Sequence, residues 1–331
     1  MKKFLRYSFF GFLTVFLVLG GYFFVGSAEP AEKITWGVNF SQKQAESLGF
    51  NWKEIYSALL EDLKVRNLKL ATYWDLLEKE KGEYNFDDLD WQIGKAKDYG
   101  AKVFLVIGMK TPRWPECHIP EWAKGLSKEA QQERILGLLE EIVIRYRGAT
   151  PVWAWQVENE PFFPFGECSW SDKDFLKKEI ALVKSLDNRN RPVVISDSGE
   201  FSFWITAAAL GDEVGATLHR KVWFKELNRY VQYPIPPIFY WRKAQIIDKF
   251  FHKRVFIGEL QAEPWCSKYI DECPPFEQKK TMNLERFKSN IEFAKKTGLG
   301  KHYLWGAEWW FWLKEKQNQP EIWQEAKKLF P

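Results

Sequence analysis

Val152-Trp153-Ala154-Trp155-Gln156-Val157-Glu158-Asn159-Glu160-Pro161 is a short apolar run that ends abruptly in two carboxylates around an amide, closed by a proline. Six β-branched or aromatic-rich residues bounded by a proline read as a buried strand. A strand of this kind places its last residues at one edge of a sheet. The polar cluster therefore sits where a parallel sheet exposes chemistry.

Working outward, the same pattern recurs. The strands expected are Thr35–Phe40, Leu68–Thr72, Lys102–Ile107, Val152–Val157, Pro192–Ser196, Glu213–Leu218, Val255–Glu259 and His302–Gly306. Between them lie stretches of helical period: Trp52–Lys64, Asp88–Tyr99, Lys128–Arg147, Asp172–Ser185, Phe203–Leu210, Pro237–Phe251 and Phe276–Thr297, with Pro320–Leu329 after the last strand. Ser171 is read as the cap of the Asp172–Ser185 helix, with Asp174 at capping-box spacing. Eight alternating strand–helix units predict an α/β fold of the (β/α)8 barrel (TIM barrel) type. A doubly wound sheet would need a glycine-rich phosphate loop after an early strand, and neither GxGxxG nor a Walker sequence is present.

Composition bounds the function. The 331 residues include 18 Trp and are 17% aromatic, which points to a packed core; flat indoles also suit the apolar faces of sugars. For any single Trp, core packing competes with that use. Net charge is +4, of which Lys2, Lys3 and Arg6 precede Glu29, so the remainder is near neutral. A nucleic-acid partner is not expected. The apolar run from Ser8 to Gly26 behind those basic residues reads as a signal peptide or an uncleaved membrane anchor. Residues 1–28 are assigned to it and 29–331 to a barrel domain, exported in either case. A monomer is expected.

Four cysteines in an exported chain suggest disulfides, with Cys117–Cys168 and Cys266–Cys273 as the expected pairs. A metal site is the competing reading. With four His and no CxxC or paired-His spacing, no metal is expected.

The loops after the strands carry the candidate chemistry. Glycosidic cleavage needs a proton for the leaving oxygen and stabilisation of an oxocarbenium-like centre, work for two carboxyls facing each other. Glu160 after strand four and Glu259 at the end of strand seven lie across the expected barrel mouth. Glu263 is the rival for the second position. Glu158 is expected to play a structural part by pairing with a Lys or Arg. Trp74, Trp114 and Trp265, after strands two, three and seven, are read as sugar contacts.

Trp155-Gln156-Val157-Glu158-Asn159-Glu160-Pro161 resembles the strand-four Asn-Glu-Pro signature of clan A glycoside hydrolases, and Ile257-Gly258-Glu259 resembles their strand-seven nucleophile segment. Trp74, Glu78, Gly82, Tyr84, Phe86 and Leu89-Asp90 are similar to a stretch of the clan's β-galactosidase-like members. The resemblance implies a retaining mechanism on β-linked sugars, without a cofactor: Glu160 as acid and then base, Glu259 as nucleophile, Asn159 on the sugar's 2-hydroxyl, and Trp305 as platform under the sugar. The substrate implied is an oligo- or polysaccharide. Two departures stand out. Clan members usually carry Arg on strand two, where this chain offers Lys69, and His219 stands where many relatives have Tyr. A transglycosylase on the same fold and a non-catalytic carbohydrate-binding barrel are the alternative readings.

Overall fold

The computed structural model describes residue 14 and residues 17–330. Among the described residues there are ten strands: β1 (Thr35–Phe40), β2 (Asn67–Ala71), β3 (Lys102–Ile107), β4 (Val152–Val157), β5 (Val193–Asp197), β6 (Glu213–Leu218), β7 (Lys221–Phe224), β8 (Arg229–Gln232), β9 (Val255–Gln261) and β10 (Lys301–Trp305). Eight of them close into a barrel in the order β1-β10-β9-β6-β5-β4-β3-β2. Every neighbouring pair in that ring is parallel. With helices around it, this is the (β/α)8 barrel expected from the alternation.

Strand periodicity decides what points inward. In β2, Leu68 and Leu70 turn to the outer helices, and Lys69 between them turns to the barrel interior. At the interior, Phe104, Ala154, Val194, Phe256 and Tyr303 form a separate apolar layer. The Tyr303 ring lies so close to Gly37 that a Cβ there would meet it at 2.6 Å, so this position in β1 admits only glycine. The larger core lies between barrel and helices, where Ile55, Leu59, Ile135, Leu139 and Ile142 are fully buried.

Three local features differ from the sequence reading. The cap of the fourth long helix is Asp172, not Ser171: its carboxylate accepts the N–H groups of Asp174 and Phe175, and the helix runs Lys173–Leu186. The segment 276–297 is not one helix. Asn283 accepts the Arg286 N–H and starts a new helix, Leu284–Lys295, after a single turn at Pro275–Gln278. Finally, β7 and β8 form an antiparallel hairpin inserted after β6. Its turn contains no glycine; Asn228 supplies the left-handed residue with φ 48°.

Both expected disulfides are formed, Cys117–Cys168 and Cys266–Cys273, leaving no free cysteine among the described residues. Among the described residues no helix is long and apolar enough to cross a membrane. Residues 1–13, 15 and 16, which hold much of the apolar run assigned to a signal or anchor, lie outside the described residues. Residues 17–24 are helical, and Phe23 packs on Phe203 and Phe239.

Candidate active site

Glu259 lies on β9 and is almost wholly buried. Lys69 on the facing wall donates to its Oε1 at 2.7 Å, and Nε2 of His219 stands 3.9 Å from Oε2. Burial by itself would raise this carboxyl. The Lys69 ammonium and then His219 outweigh it and hold the group at about 2. Glu259 is therefore a carboxylate at any ordinary pH. Lys69 takes the place of the expected strand-two arginine.

Glu160 ends the β4 segment in the opposite condition. Glu158 and Glu160 have φ of 59° and 40°, so the chain leaves the ladder after Val157 and turns its side chains by the irregular backbone rather than by strand alternation. The Glu160 N–H donates to Ser196 Oγ at 2.7 Å, and Thr217 Oγ1 donates to Glu160 Oε1 at 3.2 Å. The Lys110 ammonium binds its carbonyl at 3.0 Å. Burial, then the negative charge of Glu259, push the Glu160 carboxyl well above the usual range. Two carboxyls at one barrel mouth are thus pushed in opposite directions, Glu259 toward the ionised form and Glu160 toward the protonated form.

Asn159 is fully engaged by the protein at its oxygen, which accepts from Gln156 at 3.0 Å and from Ser196 at 3.3 Å. Its amide donates to Glu116 Oε2 at 3.0 Å. Glu116 was not singled out by sequence reasoning. It sits in the loop after β3 with φ 73°, beside the Cys117–Cys168 bridge. Burial raises it to about 8, against the opposing pull of Lys110, so a third carboxyl of the site is neutral at pH 7. Glu200, also unforeseen, follows β5. It accepts the His219 N–H at 3.0 Å and the Tyr240 hydroxyl at 2.7 Å, which fixes the loop carrying His219.

The other carboxylates have structural partners. Glu158 does not pair with a Lys or Arg side chain. It accepts the N–H groups of Met109 at 2.8 Å and Lys110 at 2.6 Å. Gly108, with φ 127°, makes room for it, since any Cβ there would collide with the carboxylate. Glu263 binds the Arg113 guanidinium through both oxygens, and Arg113 also reaches Glu308 Oε2 at 3.0 Å. Each of its oxygens is thus engaged by the guanidinium.

The aromatic candidates separate. The Arg113 guanidinium stacks 3.9 Å from the Trp305 ring centroid, holding this indole at the end of β10 half exposed. Trp265 stands edge-on to His219 at 4.9 Å. Trp114 is exposed at the rim and meets Phe165 at 5.8 Å. Trp74 is fully buried, with its indole N–H on Glu78 Oε2 at 2.8 Å, and offers no face to a ligand. No group of His, Cys, Asp and Glu suited to a metal ion occurs among the described residues.

No protein-family model matches the sequence. The fold, however, is shared with solved clan A glycoside hydrolases. A β-galactosidase from the Antarctic haloarchaeon Halorubrum lacusprofundi superposes with a TM-score of 0.55 at 15% identity, over 82% of this chain and 52% of that one. The chain thus spans about half the length of that enzyme. A GH5_18 protein from Bifidobacterium longum subsp. infantis gives 0.58 at 12% identity, over 82% and 69%. Xylanase 10B from Thermotoga petrophila RKU-1, solved with xylobiose, gives 0.52 at 15% identity, over 85% and 86%. At these identities the likeness is one of fold.

Proposed function

We propose that this chain is a retaining glycoside hydrolase acting on β-linked sugars, with Glu160 as acid/base and Glu259 as nucleophile. The observation that carries the reading is that Lys69 binds the buried Glu259 carboxylate while Glu160, partly buried beside it, has no cation on its carboxyl among the described residues, so the two are pushed in opposite directions. A double displacement begins with one protonated and one ionised group. Glu259 Oε2, the oxygen not taken by Lys69, attacks the anomeric carbon while Glu160 gives its proton to the departing glycosidic oxygen. The result is a glycosyl ester on Glu259. Esterification removes the Glu259 charge that raises Glu160, so Glu160, ionised by that proton transfer, stays a carboxylate, takes a proton from water, and directs the hydroxyl to the anomeric carbon. The sugar leaves with its original configuration, and Glu259 returns as a carboxylate.

Asn159 and the neutral Glu116 beside it offer donors to the ring hydroxyls. Trp305, fixed by Arg113, offers an apolar face to the sugar, with Trp265 and Trp114 farther out. The barrel, residues 29–331, acts outside the cytoplasm, a reading that the two disulfides support. Residues 8–26 tether it to the membrane. A panel of aryl β-glycosides and β-linked oligosaccharides, with Glu259→Ala as control, tests this. Hydrolysis of at least one substrate, lost in the control, is expected; equal turnover in the control refutes the assignment.

A further inference from the structure

The chain enters the barrel along a path that relates its N-terminal segment to the catalytic mouth. Gly298, just before β10, lies at the base of the barrel. A Cβ there would meet the Glu29 carbonyl at 2.5 Å, Trp241 Cδ1 at 2.7 Å and Ala28 Cβ at 3.2 Å, so residues 28 and 29 pass this position beside the Trp241 indole. Toward the N-terminus the chain lies against the first two turns of the helix Pro237–Phe251. Tyr22 lies under the Arg242 guanidinium at 4.7 Å, and Phe24 meets Phe239 at 5.5 Å. Phe23 reaches Phe203 at 5.6 Å. Phe203 follows β5, and Phe239 lies in the first turn of its helix, so both belong to the mouth end of the barrel. The segment therefore leaves the barrel beside its mouth and not beneath it.

The surface around that exit is apolar and open. Leu17, Val18 and Leu19 on the segment are each more than half exposed, as are Phe203 and Ile205 on the rim. Exposed apolar side chains gathered on one face mark a contact surface. It continues an apolar run that reaches back to Ser8 behind Lys2, Lys3 and Arg6. It also continues inward: Phe201, 56% exposed, stacks on Phe163 at 5.8 Å with the rings 3° from parallel. Phe163 stacks on Phe165, and Phe165 meets Trp265 beside His219.

We infer that Phe201, Phe203 and Ile205 lie on a lipid bilayer entered by the N-terminal segment, so that the mouth opens at the membrane surface and the substrate is a saccharide carried on a lipid. Aromatic side chains favour this interfacial depth, and one face of a rim can lie in it without spanning it. A bilayer covers the segment's residues 17–19 and the rim together. A second copy of the chain would have to match both. The positional claim rests on the tether and the geometry; the substrate claim rests in addition on the glycosidase reading above.

The test uses the full chain in vesicles of phosphatidylcholine and phosphatidylglycerol doped with nitroxide-labelled lipid. A fluorophore is attached to Phe203→Cys or, as a base-side control, to Lys102→Cys at the start of β3. Quenching at 203 at least three-fold that at 102 is expected. Equal quenching at both sites, or an unquenched 203 probe on vesicle-bound protein, overturns the placement; concentration-dependent dimers in the latter case assign the patch to a second copy. This readout needs no turnover, so it fails independently of the glycosidase reading. The substrate claim is read with whichever β-glycoside the panel shows to be cleaved, offered as the dodecyl glycoside in vesicles and as the nitrophenyl glycoside in solution. The double variant Phe203→Ser, Ile205→Ser should slow the first at least five-fold and leave the second unchanged. Equal rates with the parent on the vesicle substrate overturn that claim.

Discussion

Replacing Lys69 with methionine removes the cation that keeps Glu259 ionised while leaving the side-chain volume almost intact. The ammonium sits 2.7 Å from Oε1, and both side chains are shielded from water, 2% and 6% exposed. Glu259 is held at about 2 against an ordinary 4.5. The difference is worth about 3 kcal/mol at roughly 1.4 kcal/mol per pH unit. Without Lys69, burial becomes the dominant influence, and the Glu259 carboxyl should rise above 4.5 with only His219 to oppose it. The acid limb of kcat/KM, which the parent shows near pH 2 if it survives there, should then appear above about pH 5. Stability should change sign with pH as well. In the parent, the depressed carboxyl contributes stability that is complete above about pH 4.5 and lost as the pH falls toward 2. In the variant, a raised carboxyl stabilises the folded state at low pH and that contribution is lost as the pH rises through its folded value. Urea unfolding should therefore show a larger deficit at pH 7, about 3–5 kcal/mol for an orphaned buried charge, than at pH 4. Lys69→Arg should restore the parent profile. An acid limb unmoved in Lys69→Met, with a deficit equal at both pH values, refutes the electrostatic account of Glu259.

Other consequences can be checked on the same protein. Glu160→Ala should lose roughly 100- to 10,000-fold in turnover of glycosides with poor leaving groups. It should lose far less with activated aryl groups, and the basic limb, where Glu160 gives up its proton as pH rises, should vanish from its profile. Glu263→Ala orphans much of the Arg113 charge and should cost about 3–5 kcal/mol in urea unfolding. Below its unfolding transition it should still form the covalent glycosyl-enzyme. Cys117→Ser with Cys168→Ser opens a loop with a sequence separation of 51 residues and should lower stability by up to about 4 kcal/mol. Because that bridge adjoins Glu116, the double variant should also raise KM.

The barrel was legible because strand and helix periods differ and repeat eight times, and β4 carried the strongest single signal. Glu160, the proposed acid/base, stood out from Asn-Glu-Pro at a strand end. Glu259, the proposed nucleophile, stood out mainly by position and by the Ile-Gly-Glu segment, and what separates it from Glu263 needed three dimensions: Lys69 faces one and Arg113 clamps the other. Glu116 and Glu200 left no signal because each works through loop backbone, one at positive φ beside a disulfide, the other by holding the His219 amide. The β7–β8 hairpin escaped because its turn uses Asn228 where a glycine would have advertised it. Trp74 shows the opposite error: an aromatic just past a strand end turned into the core and gave its N–H to Glu78.

The central claim is that Glu259 becomes covalently glycosylated while Glu160 manages the proton. A 2-deoxy-2-fluoro glycoside of the cleaved sugar slows breakdown of that intermediate enough to isolate it. Proteolysis and mass spectrometry of the trapped protein should find one glycosyl adduct, on the peptide containing Glu259 and at that residue. An adduct on Glu263, or no adduct together with a product of inverted configuration, would contradict the account.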